Sequence, residues 1–353
     1  MTDLIARARA DLRMGVPVVL EATDQSALVL AAETLSAARL KALQERSGMP
    51  VLVISARRAE TLKARPYDGD VARIVLPQEA SLDWVQGVAD PADDLNTPMK
   101  GPLLSERSGS ADLHRTAITL VKSARLLPAA VMLVSDESVD ASLTRLNAAS
   151  LSQTLQDQSP MHRVVSARLP LSVSEAGRLH IWRPEDGAEE HYAVEIGAPD
   201  RDAPVLARLH SACFTGDLMG SLKCDCGPQL RGALGQMGAE GAGVLLYLNQ
   251  EGRGIGLANK MRAYALQDQG FDTVEANHRL GFEDDERDFR IGAAILRDMG
   301  FSSVRLLTNN PAKIEMMQAH GIDVTERVPL KVGEGEHNRA YLATKAKKSG
   351  HLL

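Results

Sequence analysis

The sequence predicts a mixed α/β fold, α+β sheets with helices, divided into two domains, and three observations carry that reading. At 353 residues the chain can bury two cores of ordinary size without disulfides as staples. A hydrophobic share of 44% beside a charged share of 24% matches a globular chain rather than a disordered one. Short apolar runs bounded by turn residues alternate with stretches of helical periodicity.

Leu4, Ile5, Ala8 and Leu12 are spaced as one face of an amphipathic first helix. "VPVVLEA" (16 to 22) and "MPVLVISA" (49 to 56) read as apolar strands, with an alanine-rich helical stretch between them. Residues 86 to 112 are rich in Pro, Gly, Asp and Ser and read as a long loop. A helix follows at about 113 to 126, then a buried strand in "AAVMLVSD" (129 to 136). The polar passage 150 to 163 marks a linker, so the domains are expected at 1–155 and 160–353.

Beyond it, "GRLHIWRP" and "EEHYAVEIG" suggest a strand pair. "AGVLLYLNQ" is a buried strand, "EGRGIG" a glycine loop, and "LANKMRAYALQDQG" a helix closed by Gly270. Residues 287–300 predict another helix, and 303–310 a strand. Asn310 then caps a last helix that opens with Pro311.

A net charge of −6 argues against a general nucleic-acid binder, because such a surface repels phosphate unless one face is basic. An anionic substrate therefore needs a local basic pocket. No apolar run reaches the roughly eighteen residues of a membrane span, and the N-terminus lacks a signal-like apolar region. Together these features predict a cytoplasmic protein.

The three cysteines fall together as Cys213-x10-Cys224-x-Cys226. Three soft thiolates suit zinc, and three protein ligands rather than four leave a position for water, the design of a catalytic zinc that generates hydroxide near neutral pH. The competing readings are small buried thiols and a structural zinc completed by His210 or His278. The glycines of "GRGIG" (Gly252, Gly254, Gly256) do not match a dinucleotide fingerprint and suit close backbone approach to a ligand.

"RLHSACFTGDLMGSLKCDCGPQL", "YLNQEGRGIGLANKMRAYALQDQGFDTVEANHRLGF", "DERDF" and "RLLTNNPAKIE", in this order, closely resemble GTP cyclohydrolase II from about residue 160 to the C-terminus. That resemblance implies a zinc-dependent opening of the guanine imidazole ring of GTP. Formate and pyrophosphate leave, and the product is 2,5-diamino-6-ribosylamino-4(3H)-pyrimidinone 5′-phosphate, the entry to riboflavin synthesis. It implies one zinc per subunit on Cys213, Cys224 and Cys226, with its water attacking C8, a magnesium ion on the phosphates, and a homodimer.

By the same resemblance Asp285 is a proton acceptor and Arg287 a nucleophile toward the α-phosphorus. A guanidinium has no free lone pair at neutral pH, so the alternative is an Arg287 that clamps developing phosphate charge. Tyr264 matches the catalytic tyrosine. The GTP contacts map to Arg208, Leu209, His210, Ser211, Ala212, Gln229, Glu251, Gly252, Arg253, Thr273, Thr308 and Lys313. Many members carry a glutamate at Ala212, so only its backbone can serve here.

The N-terminal half has a fainter likeness to 3,4-dihydroxy-2-butanone 4-phosphate synthase, which precedes this domain in many bacterial fusions. That enzyme needs an acidic loop for magnesium and proton transfer, whereas "EATDQSALVL" keeps only Glu21 and Asp24. The expectation is a degenerate, non-catalytic domain serving structure, dimerisation or regulation, with His114 a relic or simply a helix-start or surface histidine. Alternatives for the whole are a paralogue with a different product and a non-catalytic GTP-binding scaffold.

Overall fold

The structure is a computed structural model that describes residues 1–23, 25–135, 140–336, 338–339, 350 and 352. Two compact units form: Met1–Asp157 with Ala258–Glu286, and Gln158–Leu257 with Arg287–Leu353. Both combine helices with a sheet, so the mixed α/β class holds. Asp24 and Asp136 lie outside the described residues.

The first unit opens with the helix Thr2–Arg13, which buries Ile5, Ala8 and Leu12, three of the four residues of the expected stripe. Its described strands are β1 (Val18–Glu21), β2 (Ser26–Ala31), β3 (Val51–Ser55), β4 (Val71–Val75), β5 (Ala129–Ser135) and β6 (Arg145–Asn147). They form a six-stranded sheet in the order β4-β3-β5-β2-β1-β6. Pairing is antiparallel except between β1 and β6. Val53 and Met132 point to one core, with the helices Thr2–Arg13 and Asp112–Ser123; Leu52, Ile54 and Val131 point to the other. Burial on both faces explains why these strands read as continuous apolar runs.

The alanine-rich stretch expected to be helical begins instead as strand β2, and only Ala37–Gln44 is helix, capped by Ser36. Ladder hydrogen bonds to β1 on one side and β5 on the other outweigh a weak helical preference. β4 and the helices Ala56–Thr61 and Leu82–Ala89 escape the sequence reading. The last of these occupies the start of the expected 86–112 loop; Asp90 to Ala111 otherwise runs without helix or strand, apart from a bridge between Ile74 and Ser105. In the polar passage 150–163, Ala148–Gln156 is helical, because the Asn147 side chain accepts from the Ser150 amide at 3.0 Å and Leu151 is buried.

His114 sits near the start of Asp112–Ser123 and is buried, 5% exposed, not on the surface. Burial pushes its pKa down from 6.5 to about 4, and the nearby Arg73 and Arg115 add to the effect. Between those values the unfolded chain binds more protons than the folded one, so stability rises with pH across that window. From this one group, acidification from pH 7 to pH 4 should cost about 3 kcal/mol. His114→Leu should flatten the difference between urea unfolding free energies measured at pH 7.5 and pH 5; an unchanged difference would refute the assignment.

The second unit carries β7 (Met161–Arg168), β8 (Gly177–Pro184), β9 (His191–Ile196), β10 (Val205–Ser211), β11 (Gly243–Leu248), β12 (Ser303–Leu307) and β13 (Asp323–Val328). The sheet order is β13-β12-β10-β11-β9-β8-β7. β8 and β9 pair antiparallel as expected, with Gly177 opposite Ile196. β10, β11, β12 and β13 run parallel. Alternation along β10 sends Val205, Ala207 and Leu209 to a core with the helix Arg290–Asp298. Leu206, Arg208 and His210 therefore face the side where the helix Cys226–Glu240 packs through Ala233 and Met237. Asn310 caps Pro311–Ala319 through the Ala312 amide at 3.0 Å.

Candidate functional site

The carboxyl ends of the parallel strands β10, β11 and β12 lead into Ser211–Cys213, Asn249–Arg253 and Thr308–Lys313. Ligands in open α/β sheets bind at such ends. Most of the residues singled out in sequence gather here.

Cys213 follows β10, and Cys226 begins the helix Cys226–Glu240. The three sulfurs of Cys213, Cys224 and Cys226 lie within 4.8 Å of one another. The Cys213 and Cys224 Sγ atoms are 3.7 Å apart. Tetrahedral ligation at about 2.3 Å per thiolate places sulfurs roughly 3.8 Å apart, so this pair already has the spacing of ligands on one ion. Hydrogen bonding with Cys213, then burial, raises the pKa of Cys224, and stronger versions of the same effects push Cys226 well above the ordinary thiol range. Three thiolates at this spacing need a cation to offset their repulsion. The donor set therefore fits zinc.

Gly216 makes room for the cluster. A Cβ there would lie 2.7 Å from the Cys224 sulfur and 3.0 Å from that of Cys213, closer than packing allows. Gly216→Ala should spread the thiols and weaken zinc affinity on the order of 10- to 100-fold, the scale of changes around a metal's ligands. Competition against a chromophoric chelator measures this, and an unaltered affinity would show that the turn does not shape the site.

Two polar networks surround the thiols. Asp217, whose side chain is 6% exposed, accepts from the Cys213 amide and the Tyr247 hydroxyl, each at 3.0 Å, and lies 3.0 Å from His210 Nε2. His210 and Tyr247 are register partners on β10 and β11, and their rings stack at 5.6 Å. Burial lowers the His210 pKa despite Asp217, and burial raises that of Tyr247 with help from Asp217. In the second network Arg208 donates to the Leu307 carbonyl at 3.2 Å and to Gln229, which in turn donates to Asp225. Burial lowers the Arg208 pKa to about 10, which leaves it charged at neutral pH.

Lys313 Nζ donates to the Leu209 carbonyl at 2.8 Å, so Leu209 enters the site through its backbone while its side chain packs in the core. Arg287 donates to Ser211 Oγ at 3.3 Å and lies 4.7 Å from the Phe289 ring; Lys313 lies 5.0 Å from that ring on the same unit. Thr308 Oγ1 accepts from the Asn310 amide at 3.0 Å. Both Glu251 oxygens accept backbone amides, from Phe214 at 2.6 Å and Gly252 at 2.9 Å, which ties the glycine loop to the cysteine turn. In that loop Gly252 and Arg253 take φ of 64° and 61°. A non-glycine residue there costs roughly 1–2 kcal/mol, and such strain concentrates at functional positions. Ala212 donates its amide to the Leu248 carbonyl at 2.8 Å.

Tyr264, Thr273 and Asp285 lie on Ala258–Glu286, which belongs to the first unit. Lys260 Nζ stands 5.7 Å from the Tyr264 ring, and Gln267 donates to Thr273 Oγ1 at 3.1 Å. Neither histidine considered as a fourth zinc ligand joins the thiol cluster found among the described residues: His210 pairs with Asp217, and His278 Nε2 lies 2.9 Å from Asp284. Asp217, Tyr247 and Gly216 were missed in sequence. The hint available was an acidic residue four positions after the first cysteine.

The family description "GTP cyclohydrolase II" matches residues 162–329. A GTP cyclohydrolase-2 of Azospirillum brasilense is 41% identical over 360 residues, spanning 99% of this chain and 94% of its own. One from Azotobacter vinelandii is 57% identical over 50% of this chain and 84% of its own. A Bacillus subtilis protein named riboflavin biosynthesis protein RibBA is 58% identical over 48% of this chain and 43% of its own. A solved structure described as a two-domain 3,4-dihydroxy-2-butanone 4-phosphate synthase from A. baumannii covers 93% of this chain at 17% identity, but its TM-score of 0.32 is too low to relate the folds. With a full-length relative at 41% identity, and the thiol cluster inside the matched region, the chain belongs to the GTP cyclohydrolase II family.

Proposed function

We propose that this chain opens the guanine imidazole ring of GTP by zinc-dependent hydrolysis, releasing formate and pyrophosphate to give 2,5-diamino-6-ribosylamino-4(3H)-pyrimidinone 5′-phosphate for riboflavin synthesis. The observation that carries this reading is the set of three buried or half-buried thiols within 4.8 Å of one another, without a fourth protein ligand among the described residues. Cys213, Cys224 and Cys226 would hold a zinc ion, which would supply Lewis acidity and acidify a water molecule.

The remaining roles belong to the chain's own groups. Arg208, Arg253 and Lys313 supply positive charge for the triphosphate, and a magnesium ion on the phosphates completes its neutralisation. Glu251 accepts from the guanine edge, with the Gly252 backbone beside it, and Gln229, Thr273 and Thr308 add hydrogen bonds. Tyr264 supports proton transfer at the base. Asp285 accepts a proton near Arg287, which acts at the α-phosphate; half-buried beside Ser211 and Phe289, its planar charge suits a clamp at least as well as a nucleophile.

Incubating the purified chain with GTP, zinc and magnesium, and following formate, pyrophosphate and the diaminopyrimidine, tests this reading. Absence of formate at every metal loading overturns it, and formate without pyrophosphate points to a paralogue with a different product. The protein acts as a cytoplasmic homodimer; no helix among the described residues is long and apolar enough to cross a membrane. The domains are those of residues 1–155 and 160–353, the first a degenerate synthase-like domain without catalysis. Butanone phosphate formed from ribulose 5-phosphate and magnesium would refute that last assignment.

A further inference from the structure

The segment Ala258–Glu286 belongs in sequence to the family match at 162–329 but packs as part of the first unit. Five charged contacts to residues before 158 hold it there. Arg262 lies 3.1 Å from both Glu33 and Asp90. Arg57 grips Glu283 with two nitrogens, at 2.9 and 3.1 Å. Arg279 lies 3.5 Å from Asp94, a carboxylate that is 9% exposed. Lys122 Nζ, from the helix Asp112–Ser123, is 2.6 Å from Glu286 Oε1, with the two side chains 27% and 21% exposed.

The fit is also one of shape. The helix Ala56–Thr61 packs on Thr273–Leu280, and Gly281 ends the latter at φ 89°. A Cβ at Gly281 would lie 2.8 Å from Ser55 Oγ, so the backbone approaches more closely than any side chain permits. Asn259, fully buried, donates to the Arg125 carbonyl at 3.1 Å. A contact made this closely and at so many points fixes the conformation of the segment.

We infer that Met1–Asp157 is a positioning scaffold for Ala258–Glu286 within the first unit, with Lys122 its most direct positioning residue. Lys122 holds Glu286, the residue between Asp285 and Arg287, and Glu286 in turn accepts the Glu283 amide at 2.9 Å, closing the turn that presents Asp285. Its Nζ also lies 6.0 Å from the Phe282 ring. This inference rests on the roles proposed above for Tyr264, Thr273 and Asp285. It gives the non-catalytic N-terminal domain a task in the reaction without any chemistry of its own.

The test uses the full zinc-loaded chain with Lys122→Glu, Glu286→Lys, the double swap, and Arg183→Ala as a control in the exposed β8–β9 hairpin, where Arg183 pairs with Glu190. Amide hydrogen exchange should quicken in peptides from 258–286 in each single variant, leave β10 and β11 unchanged, and return toward wild type in the double swap. Formate release should fall in kcat by about 10- to 100-fold, the scale of loss from a misplaced reacting group, with zinc content unchanged and recovery in the swap. Unaltered exchange in 258–286 overturns the scaffold. Quickened exchange with unaltered kcat overturns its role in the reaction. A wild-type chain that releases no formate refutes the proposed function instead, while the exchange measurements still decide whether the segment is held.

Discussion

Cys224→Ser should leave the chain folded, strip it of tightly bound zinc, and lower formate release by at least about a thousandfold. Oxygen for sulfur preserves the shape of a side chain that is 5% exposed, so the core loses almost nothing. The ligand set loses one of its three soft donors, and the two remaining thiols do not enclose an ion. Metal activation of water is worth several kcal/mol, and each 1.4 kcal/mol or so is tenfold in rate, which sets the expected loss. Zinc bound only to the folded state also stabilises it by mass action. The thermal midpoint of the parent chain should therefore rise with zinc, and that of the variant should not. Stoichiometric zinc and substantial formate release from Cys224→Ser would move the metal centre elsewhere.

What was legible in the sequence was whatever its own neighbours determine. The thiols fall within fourteen residues on one turn and one helix start, so spacing alone brings them together. Asn310 and Pro311 define a helix start by local hydrogen bonding and fixed φ. β2 was illegible because its Ala and Leu residues suit a helix, and only its place between β1 and β5 makes it a strand. The grip on 258–286 was equally hidden: Lys122 and Glu286, or Arg57 and Glu283, are surface charges in sequence until the fold pairs them.

Asp217 belongs to the same hidden class, and its removal is the second large effect expected. In sequence it is one more acid in a polar turn. In the fold it is buried with both oxygens engaged, on the Cys213 amide, the Tyr247 hydroxyl and His210. The amide bond to Cys213 fixes the direction from which that cysteine presents its sulfur, the outer-shell task that sharpens a metal site. Asp217→Asn keeps the volume but turns one oxygen into a donor, setting donor against donor at Tyr247 and Cys213 or forcing His210 to accept. It also removes a negative charge that helps Arg208 keep its proton. A buried polar group left without its partner costs about 1–3 kcal/mol. The variant should therefore unfold at lower urea by that amount and bind zinc roughly 10- to 100-fold more weakly. Asp217→Ala, which leaves three donors without an acceptor, should be worse on both measures. Wild-type zinc affinity in Asp217→Asn, with stability alone reduced, would show that the network supports the strands without orienting the metal ligand.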